Sequence, residues 1–239
     1  MATFVLVHGG GHGGWCYAKV ARRLREAGHL VYCPTLSGLA DRAHLVGPEI
    51  DLNTHIEDVA RLIFFEDLTD VILAGHSYGG MVITGVGDRV PERIAHLVFL
   101  DAALPRNSET LFEIAASQIG PARTPDRTIN DVEMAQWPDV YTPEVFGVSD
   151  PEDIVWMAER LTPHPWKCYV TPLELTNEAA MLAIPRTIIN CTPTLGVRPK
   201  DKLQRVFEAE RVWEIDTGHD LMVTEPEKTA EMLLRVAAL

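Results

Sequence analysis

The chain has 239 residues, of which 46% are hydrophobic and 23% charged, and its 21 basic and 34 acidic side chains give a formal net charge of −13 at pH 7. This composition is typical of one folded domain with a full core, or of one domain with a large insertion, and it excludes a disordered chain. The acidic balance argues against nucleic acid and anionic membranes as partners, because both bind basic surfaces.

Short β-branched runs alternate with amphipathic segments, which is typical of βαβ units and a largely parallel sheet. The predicted strands are residues 4–9, 29–34, 71–77, 95–102, 186–192 and 211–218. The predicted helices are residues 15–28, 54–65, 79–90 and 226–239. The sequence therefore predicts an α/β fold with a mostly parallel six-stranded sheet flanked by helices.

The N-terminus MATFVLVHGG has no basic residue before its apolar stretch, so we interpret it as the first strand and not as a signal peptide. No apolar run approaches the roughly 20 residues that span a bilayer. The cysteines are scattered and form neither metal-type pairs nor a dense disulfide framework: Cys16, Cys33, Cys168 and Cys191. Reduced thiols and a cytoplasmic protein are the prediction.

One interval interrupts the alternation of strands and helices. Residues 105–184 contain many prolines, short helical pieces such as 152–161, and no convincing core strand, and the interval is too long for a simple connection. We predict a largely helical cap that covers the carboxyl edge of the sheet. The predicted core is then residues 1–104 together with 185–239.

The most specific motif is G-x-S-x-G, which occurs as Gly75-His76-Ser77-Tyr78-Gly79 between a predicted strand and a predicted helix. This context places the serine on a sharp strand-to-helix turn, where helix N–H groups favour developing negative charge. We predict that Ser77 is a nucleophile. The alternative is a serine that only caps the helix.

A serine nucleophile needs a base, and nine histidines are available. We assign this role to His219, because it follows the last predicted strand and therefore lies at the same sheet edge as Ser77. His76 is predicted to point away from the site and to be structural. His29 and His96 are predicted to be core or edge residues, and solvated positions are predicted for His44, His55 and His164.

The first strand ends in HGGGHGGW, residues 8–15, whose glycines allow backbone N–H groups to turn toward a bound carbonyl oxygen. Gly10 and Tyr78 are the predicted oxyanion donors through their backbone amides. A phosphate-binding loop is disfavoured because the glycine spacing matches neither nucleotide motif. No carboxylate or cysteine ligands cluster near His8 and His12, so no metal is expected.

Four segments together resemble the α/β-hydrolases, and within them the plant hydroxynitrile lyase and methylesterase group with its bacterial esterase relatives. These segments are HGGGHGGW (8–15), GHSYGG (75–80), FLDAALP (99–105) and DTGHDLMVTEPE (216–227). The resemblance implies a serine hydrolase that acts on small esters in a cap-covered pocket without a cofactor. A homodimer is left open.

The substrate pocket is predicted from the loop glycines, the elbow and the aromatic residues of the cap. The predicted pocket residues are Gly9, His12, Tyr78, Trp137 and Trp156. Tyr141, Trp166 and Tyr169 are further aromatic cap residues, and each cap aromatic alternatively belongs to the core of the cap.

The chain departs from the lyases at two positions, where Asp220 replaces the lysine that handles cyanide and Gly9 replaces a threonine. A negative charge beside the base would repel cyanide, which argues against lyase activity.

In the lyases and many relatives the triad acid lies in the loop after the penultimate strand, and the matching residue here is Thr194. The segment TIINCTPTLGVRPK (187–200) begins as a predicted strand and continues into the loop that contains Thr194, and this loop has no carboxylate. Asp101 ends the preceding predicted strand, where some α/β-hydrolases carry their acid, so the resemblance implies that it is the triad acid, with capping of the next segment as the alternative. Asp216 and Asp220 are too close in sequence to His219 to orient it, and Asp201 is predicted to lie in the next helix.

The predicted function is an esterase with a Ser77–His219–Asp101 triad. The alternatives are a cyanohydrin or carbon–carbon lyase and a low-turnover ligand receptor.

Overall fold

The structure is a computed structural model that describes all 239 residues apart from the side chain of Pro138. The strands of the described chain are β1 Thr3–Val7, β2 Leu30–Tyr32, β3 Val71–His76, β4 Ile94–Leu100, β5 Arg123–Ile129, β6 Val132–Ala135, β7 His164–Pro165, β8 Arg186–Cys191 and β9 Arg211–Ile215. The α-helices are α1 Ala18–Glu26, α2 Leu52–Phe65, α3 Gly79–Arg89, α4 Leu111–Ile119, α5 Trp137–Val140, α6 Pro151–Ala158, α7 Lys167–Val170, α8 Glu178–Leu182, α9 Lys200–Leu203, α10 Leu221–Thr224 and α11 Pro226–Ala237.

Six strands form the main sheet in the order β2-β1-β3-β4-β8-β9, and every neighbouring pair is parallel. The prediction of a mostly parallel six-stranded sheet is confirmed. Alternate side chains of a strand point to opposite faces, so the sheet separates two apolar clusters. Val5 and Val7 belong to the cluster with α2 and α3, whereas Phe4 and Leu6 belong to the cluster with α1 and α11.

The chain between β4 and β8 leaves the main sheet. It contains α4 to α8 and a small antiparallel sheet of order β5-β6-β7. The sequence analysis predicted the helical pieces and missed this second sheet. The reason is that β5 is almost entirely exposed and carries polar residues with a proline, so it lacks the apolar pattern of a core strand.

All four cysteines are free thiols in the described structure. Among the described residues, no helix combines the length and the apolar character that crossing a membrane requires.

Candidate active site

Ser77 lies on the sharp turn between β3 and α3. Its φ of +52° is in the left-handed region, which a serine adopts only where its surroundings hold it there. The Ser77 carbonyl accepts a hydrogen bond from Ala103 N at 2.9 Å. A Cβ at Gly79 would lie 2.7 Å from Val7 O, and one at Gly80 would lie 2.1 Å from Ala103 O. The close backbone approach therefore requires the glycines that follow the serine.

His219 lies on the loop between β9 and α10, and its Nδ1 is 2.6 Å from Asp101 Oδ2. Asp101 directly follows β4, has a φ of +44°, and donates its backbone N–H to Ile189 O at 2.7 Å. The carboxyl ends of parallel strands meet at one sheet edge, which brings these two residues together although they are far apart in sequence. The structure thus joins the predicted base to the predicted acid.

Ser77, Asp101 and His219 line one cavity of about 390 Å³. In the described residues the serine and histidine side chains are not joined by a hydrogen bond. Such a contact commonly tightens only when a substrate is bound. A larger open groove of about 520 Å³ lies beside α2, but its walls are Arg42, Thr54, Glu57, Asp58, Arg61, Leu62, Phe65 and Glu66 and contain none of the three residues.

The second carboxylate oxygen of Asp101 is held by residues of the segment that follows β8. Oδ1 accepts hydrogen bonds from Thr194 Oγ1 at 2.8 Å, from an Arg198 guanidinium nitrogen at 2.8 Å, and from Cys191 N at 3.3 Å. Burial alone would raise the pKa of Asp101, but the hydrogen bond and charge of His219, and then Arg198, hold that pKa well below its usual range. Asp101 is therefore ionised whenever the protein is folded at neutral pH.

Sequence reasoning treated Thr194 only as the residue in the vacated acid position, and it missed Arg198. The loop that lacks a carboxylate thus supplies a hydroxyl and a cation to the carboxylate at the end of β4. A signal was present in the sequence, since the only charged side chains in TPTLGVRPK are basic. Asp201 lies in α9 as predicted, is 73% exposed and contacts Lys202.

The cavity has an apolar wall and a basic wall. The apolar wall comes mainly from the interval between β4 and β8: Leu111, Ile114, Ile119, Trp137, Tyr141 and Phe146. The basic wall consists of Arg198, Lys202 and Arg205. Arg198 is paired with Asp101, and the other two are paired with Glu109. The cavity thus offers an apolar chamber beside Ser77.

Of the predicted pocket side chains, Trp137 lines the cavity, and Trp156 does not. The Trp156 ring instead packs edge-on against Trp15, with ring centroids 5.0 Å apart, and belongs to the apolar cluster of α1 and α11. The prediction for Trp156 is wrong because α6 turns this side of its amphipathic surface toward Trp15 and the cluster of α1 and α11.

The predictions for His12, Tyr78 and Gly9 as pocket residues also need correction. The His12 ring is buried against Asp220, and the Tyr78 hydroxyl is 2.8 Å from His55 Nδ1, so both side chains point into the interior. A Cβ at Gly9 would lie 2.9 Å from Ser77 Cβ, so Gly9 packs against Ser77, and it is not among the residues that line the cavity.

The glycine-rich loop after β1 is held by buried imidazoles. His8 Nε2 accepts from Leu36 N at 3.1 Å, so His8 Nδ1 is the nitrogen that donates to Gly9 O at 2.9 Å. Burial lowers the pKa of His8 to about 3, which keeps it neutral. The backbone amides of Gly10 and Tyr78 donate to no acceptor in the described residues.

Two histidines that were predicted to be solvated are buried. His164 Nδ1 accepts from Gly11 N at 3.3 Å, and His55 Nε2 donates to Ser37 O at 2.9 Å. Their partners are distant in sequence, so local pattern could not reveal them. His44 is exposed as predicted, and His96 is buried with Nε2 2.9 Å from Thr187 Oγ1, which confirms its prediction.

His76 contacts His219, the candidate base, from the interior. Its Nε2 donates to His219 O at 2.9 Å, and the two rings lie 4.6 Å apart. Burial, followed by the proximity of His219, lowers the pKa of His76 to about 3. The predicted structural role agrees with this geometry, although the side chain lies directly behind the candidate base.

Two groups of described residues bring three potential metal ligands together: His55 with His164 and Cys168, and His76 with His219 and Asp220. In the first group both His55 nitrogens are engaged, by Tyr78 and Ser37. In the second group His219 Nδ1 is engaged by Asp101. In both groups, potential ligand nitrogens are therefore engaged in hydrogen bonds to other residues.

Solved structures share this fold over the whole chain. An extracellular alpha/beta-hydrolase from a Paenibacillus species superposes with a TM-score of 0.82 at 26% identity, covering 98% of each chain. A methylesterase from Arabidopsis superposes with a TM-score of 0.78 at 20% identity, covering 100% of this chain and 99% of the other. The fold is the α/β-hydrolase fold, as predicted.

Sequence comparison extends this to the family. The model of the alpha/beta hydrolase family matches residues 4–232. A carbendazim hydrolyzing esterase from Nocardioides sp. (strain SG-4G) is 38% identical over 246 residues, covering 98% of both chains. Methylesterase 18 from Arabidopsis thaliana is 24% identical over 98% of this chain and 97% of its own. The chain therefore belongs to the alpha/beta hydrolase family.

Proposed function

We propose that this protein is a serine hydrolase that cleaves small carboxylic esters through an acyl-enzyme on Ser77. The observation that carries the proposal is the 2.6 Å contact between His219 Nδ1 and Asp101 Oδ2 in the cavity that Ser77 also lines. A carboxylate on Nδ1 leaves Nε2 as the basic nitrogen of the imidazole and stabilises the imidazolium that forms when Nε2 takes a proton.

In the proposed acylation, Ser77 Oγ attacks the ester carbonyl carbon while His219 Nε2 takes the hydroxyl proton. The carbonyl oxygen becomes an oxyanion that accepts hydrogen bonds from the amides of Gly10 and Tyr78. The tetrahedral intermediate then collapses, and the alcohol leaves with the proton from His219. Water, deprotonated by the same histidine, attacks the acyl group, which releases the acid and restores Ser77.

We further propose residues 105–184 as a cap on a core of residues 1–104 and 185–239, because this interval supplies most of the apolar cavity wall. The cavity volume of about 390 Å³ suits a small ester with an apolar or aromatic acyl or alcohol part. The names of the relatives add methyl esters and carbendazim as substrates to test. No cofactor, nucleic acid or membrane is part of the proposal, and the cytoplasm is the proposed compartment.

Two alternatives share the fold. A cyanohydrin lyase is disfavoured because the residue after His219 is a buried carboxylate, Asp220, that is already paired with His12. A ligand receptor with little turnover is disfavoured because the histidine–carboxylate contact is formed in the cavity.

The test is hydrolysis of p-nitrophenyl esters of increasing acyl length, methyl esters of aromatic acids, and carbendazim. Ser77→Ala is the diagnostic variant. Ser108→Ala is the matched control, because Ser108 also has a positive φ, of +65°, but is exposed and lies outside the cavity. We expect Ser77→Ala to lose turnover and Ser108→Ala to retain it. No hydrolysis of any ester by the folded wild type would contradict the proposal.

A further inference from the structure

A buried pair of charged groups lies behind the candidate base. His12 Nε2 is 3.0 Å from Asp220 Oδ2, and the side chains are 2% and 0% exposed. These residues are 208 positions apart in sequence. One lies in the glycine-rich loop after β1, and the other directly follows His219. The pair therefore joins the loop that carries Gly10 to the segment that carries the base.

The hydrogen bonds of His12 define its protonation state. Nδ1 is 2.8 Å from Gly10 O, and Nε2 faces the Asp220 carboxylate. Both partners are acceptors, so both ring nitrogens must carry a proton. Burial alone would lower the pKa of His12, but the charge and hydrogen bond of Asp220, with the bond to Gly10, raise it above its ordinary value. His12 is thus a buried imidazolium paired with a buried carboxylate.

The contact with Gly10 O fixes the peptide unit between Gly10 and Gly11, which directly follows the Gly10 amide. Peptide units are planar, so holding a carbonyl also sets the direction of the N–H across the same bond. The unit between Gly9 and Gly10 is held by His8 at Gly9 O, and the next unit is held by His12 at Gly10 O and by His164 at Gly11 N. Gly10 therefore lies between two fixed peptide units.

Asp220 also directly follows His219, and its backbone is held on both sides. Its Oδ1 lies 3.6 Å from His76 Nε2, beyond hydrogen-bond distance, and accepts no hydrogen bond from the described residues, whereas His76 Nε2 donates to His219 O. The Asp220 backbone N–H donates to Phe146 O at 3.3 Å, and its carbonyl accepts from Val223 N at 2.8 Å in α10. Asp220 thus contacts the glycine-rich loop through its carboxylate and fixes the segment after His219 through its backbone.

We propose that His12 and Asp220 are positioning residues that fix the Gly10 amide and His219 in place relative to each other. The inference rests on the proposed function, because it concerns the transition state of ester cleavage. Neither side chain lines the cavity, so their contribution to ground-state substrate binding is small. Their effect falls on the developing oxyanion, which depends on donors that are already in position.

The first test is kinetic. Removing an oxyanion donor altogether costs about 10²–10³-fold in kcat, so misaligning one in Asp220→Asn or His12→Gln should cost about 10–100-fold, with KM within about threefold of wild type. The double variant should lose little more than either single variant, because both changes break one pair. Affinity for a trifluoromethyl ketone, which forms a tetrahedral adduct, should fall in parallel with kcat.

Asp88→Asn is the matched control. Asp88 is also a buried carboxylate, but it accepts hydrogen bonds from the backbone N–H groups of Thr176 and Asn177 and does not line the cavity. We expect its melting temperature to fall and its kcat to stay near that of wild type. A folded Asp220→Asn protein with wild-type kcat, or a loss that appears only in KM, would contradict the inference.

A second measurement needs no variant to be active. In ¹⁵N–¹H NMR spectra of the wild-type protein at neutral pH, both His12 ring nitrogens should carry protons, one of them strongly downfield. A neutral His12 would overturn the inference. Failure of the proposed function is distinct, because it would appear as absent hydrolysis in the wild type or as activity in Ser77→Ala.

Discussion

Replacement of Asp101 by asparagine removes one negative charge and keeps the size of the side chain. In the wild type Oδ2 is 2.6 Å from His219 Nδ1, and Oδ1 is held by Arg198 and Thr194. The asparagine amide can no longer stabilise an imidazolium, and its NH₂ group favours the wrong tautomer when it faces Nδ1. The Arg198 guanidinium then remains beside the site without its partner.

The geometry gives the size of the expected loss. Two unit charges about 4 Å apart interact by about 4 kcal/mol at an effective dielectric constant of about 20. At about 1.4 kcal/mol per tenfold change in rate, this corresponds to roughly 10³ in kcat. The unpaired Arg198 adds repulsion to the imidazolium, and the corresponding change in well-studied serine proteases costs about 10⁴. We therefore expect Asp101→Asn to lower kcat by about 10²–10⁴-fold.

The assay is the initial rate of p-nitrophenyl acetate hydrolysis, together with thermal melting to show that the variant is folded. Asp88→Asn reports what the loss of a buried carboxylate does to stability alone. The control should melt at a lower temperature and keep its kcat, whereas Asp101→Asn should lose kcat while still folded. Near-wild-type kcat in folded Asp101→Asn would refute the assignment of the acid.

Three further outcomes follow from the same contacts. Thr194→Val removes one hydrogen bond to a charged acceptor while Arg198 and Cys191 N remain, so initial rates should show a loss in kcat of only about two- to tenfold. Hydrogen bonds from Arg205 lower the pKa of Glu109 to about 2, so Glu109 stabilises the fold above its unfolded pKa, and this stability is lost as pH falls toward 2. Chemical denaturation between pH 5 and 3 should therefore show that the free energy of unfolding falls less steeply with pH in Glu109→Gln than in wild type. Equal slopes in the two proteins would contradict this. Cleavage of mandelonitrile, followed as benzaldehyde release, should be negligible beside that of a good ester, because no cation follows His219 in sequence.

The local motifs explain why much of the fold and part of the site were predictable. The six strands of the main sheet are apolar runs, and the turn at Ser77 requires Gly79 and Gly80 at fixed positions after the serine. The strands and the turn can therefore each be predicted from a short stretch of sequence. Asp101 was predicted from the absence of a carboxylate around Thr194 and from the resemblance to α/β-hydrolases that carry their acid at the end of the preceding strand. The contact of Asp101 with His219 agrees with that reasoning.

The contacts that sequence reasoning missed join distant parts of the chain. Arg198 reaches Asp101 across 97 positions, and His12 reaches Asp220 across 208. The prediction for Trp156 failed for a related reason, since an amphipathic helix shows which residues are apolar and not which neighbour they face. Such choices depend on how the interval between β4 and β8 packs on the core.

Covalent labelling of Ser77 tests the central claim most directly. An alkyl fluorophosphonate reacts at neutral pH only with an activated serine, so intact-protein mass spectrometry of the wild type should show a single adduct. The same adduct should form in Ser108→Ala and be absent in Ser77→Ala. Labelling that persists in Ser77→Ala, or a folded and ester-active wild type that never forms the adduct, would contradict the account.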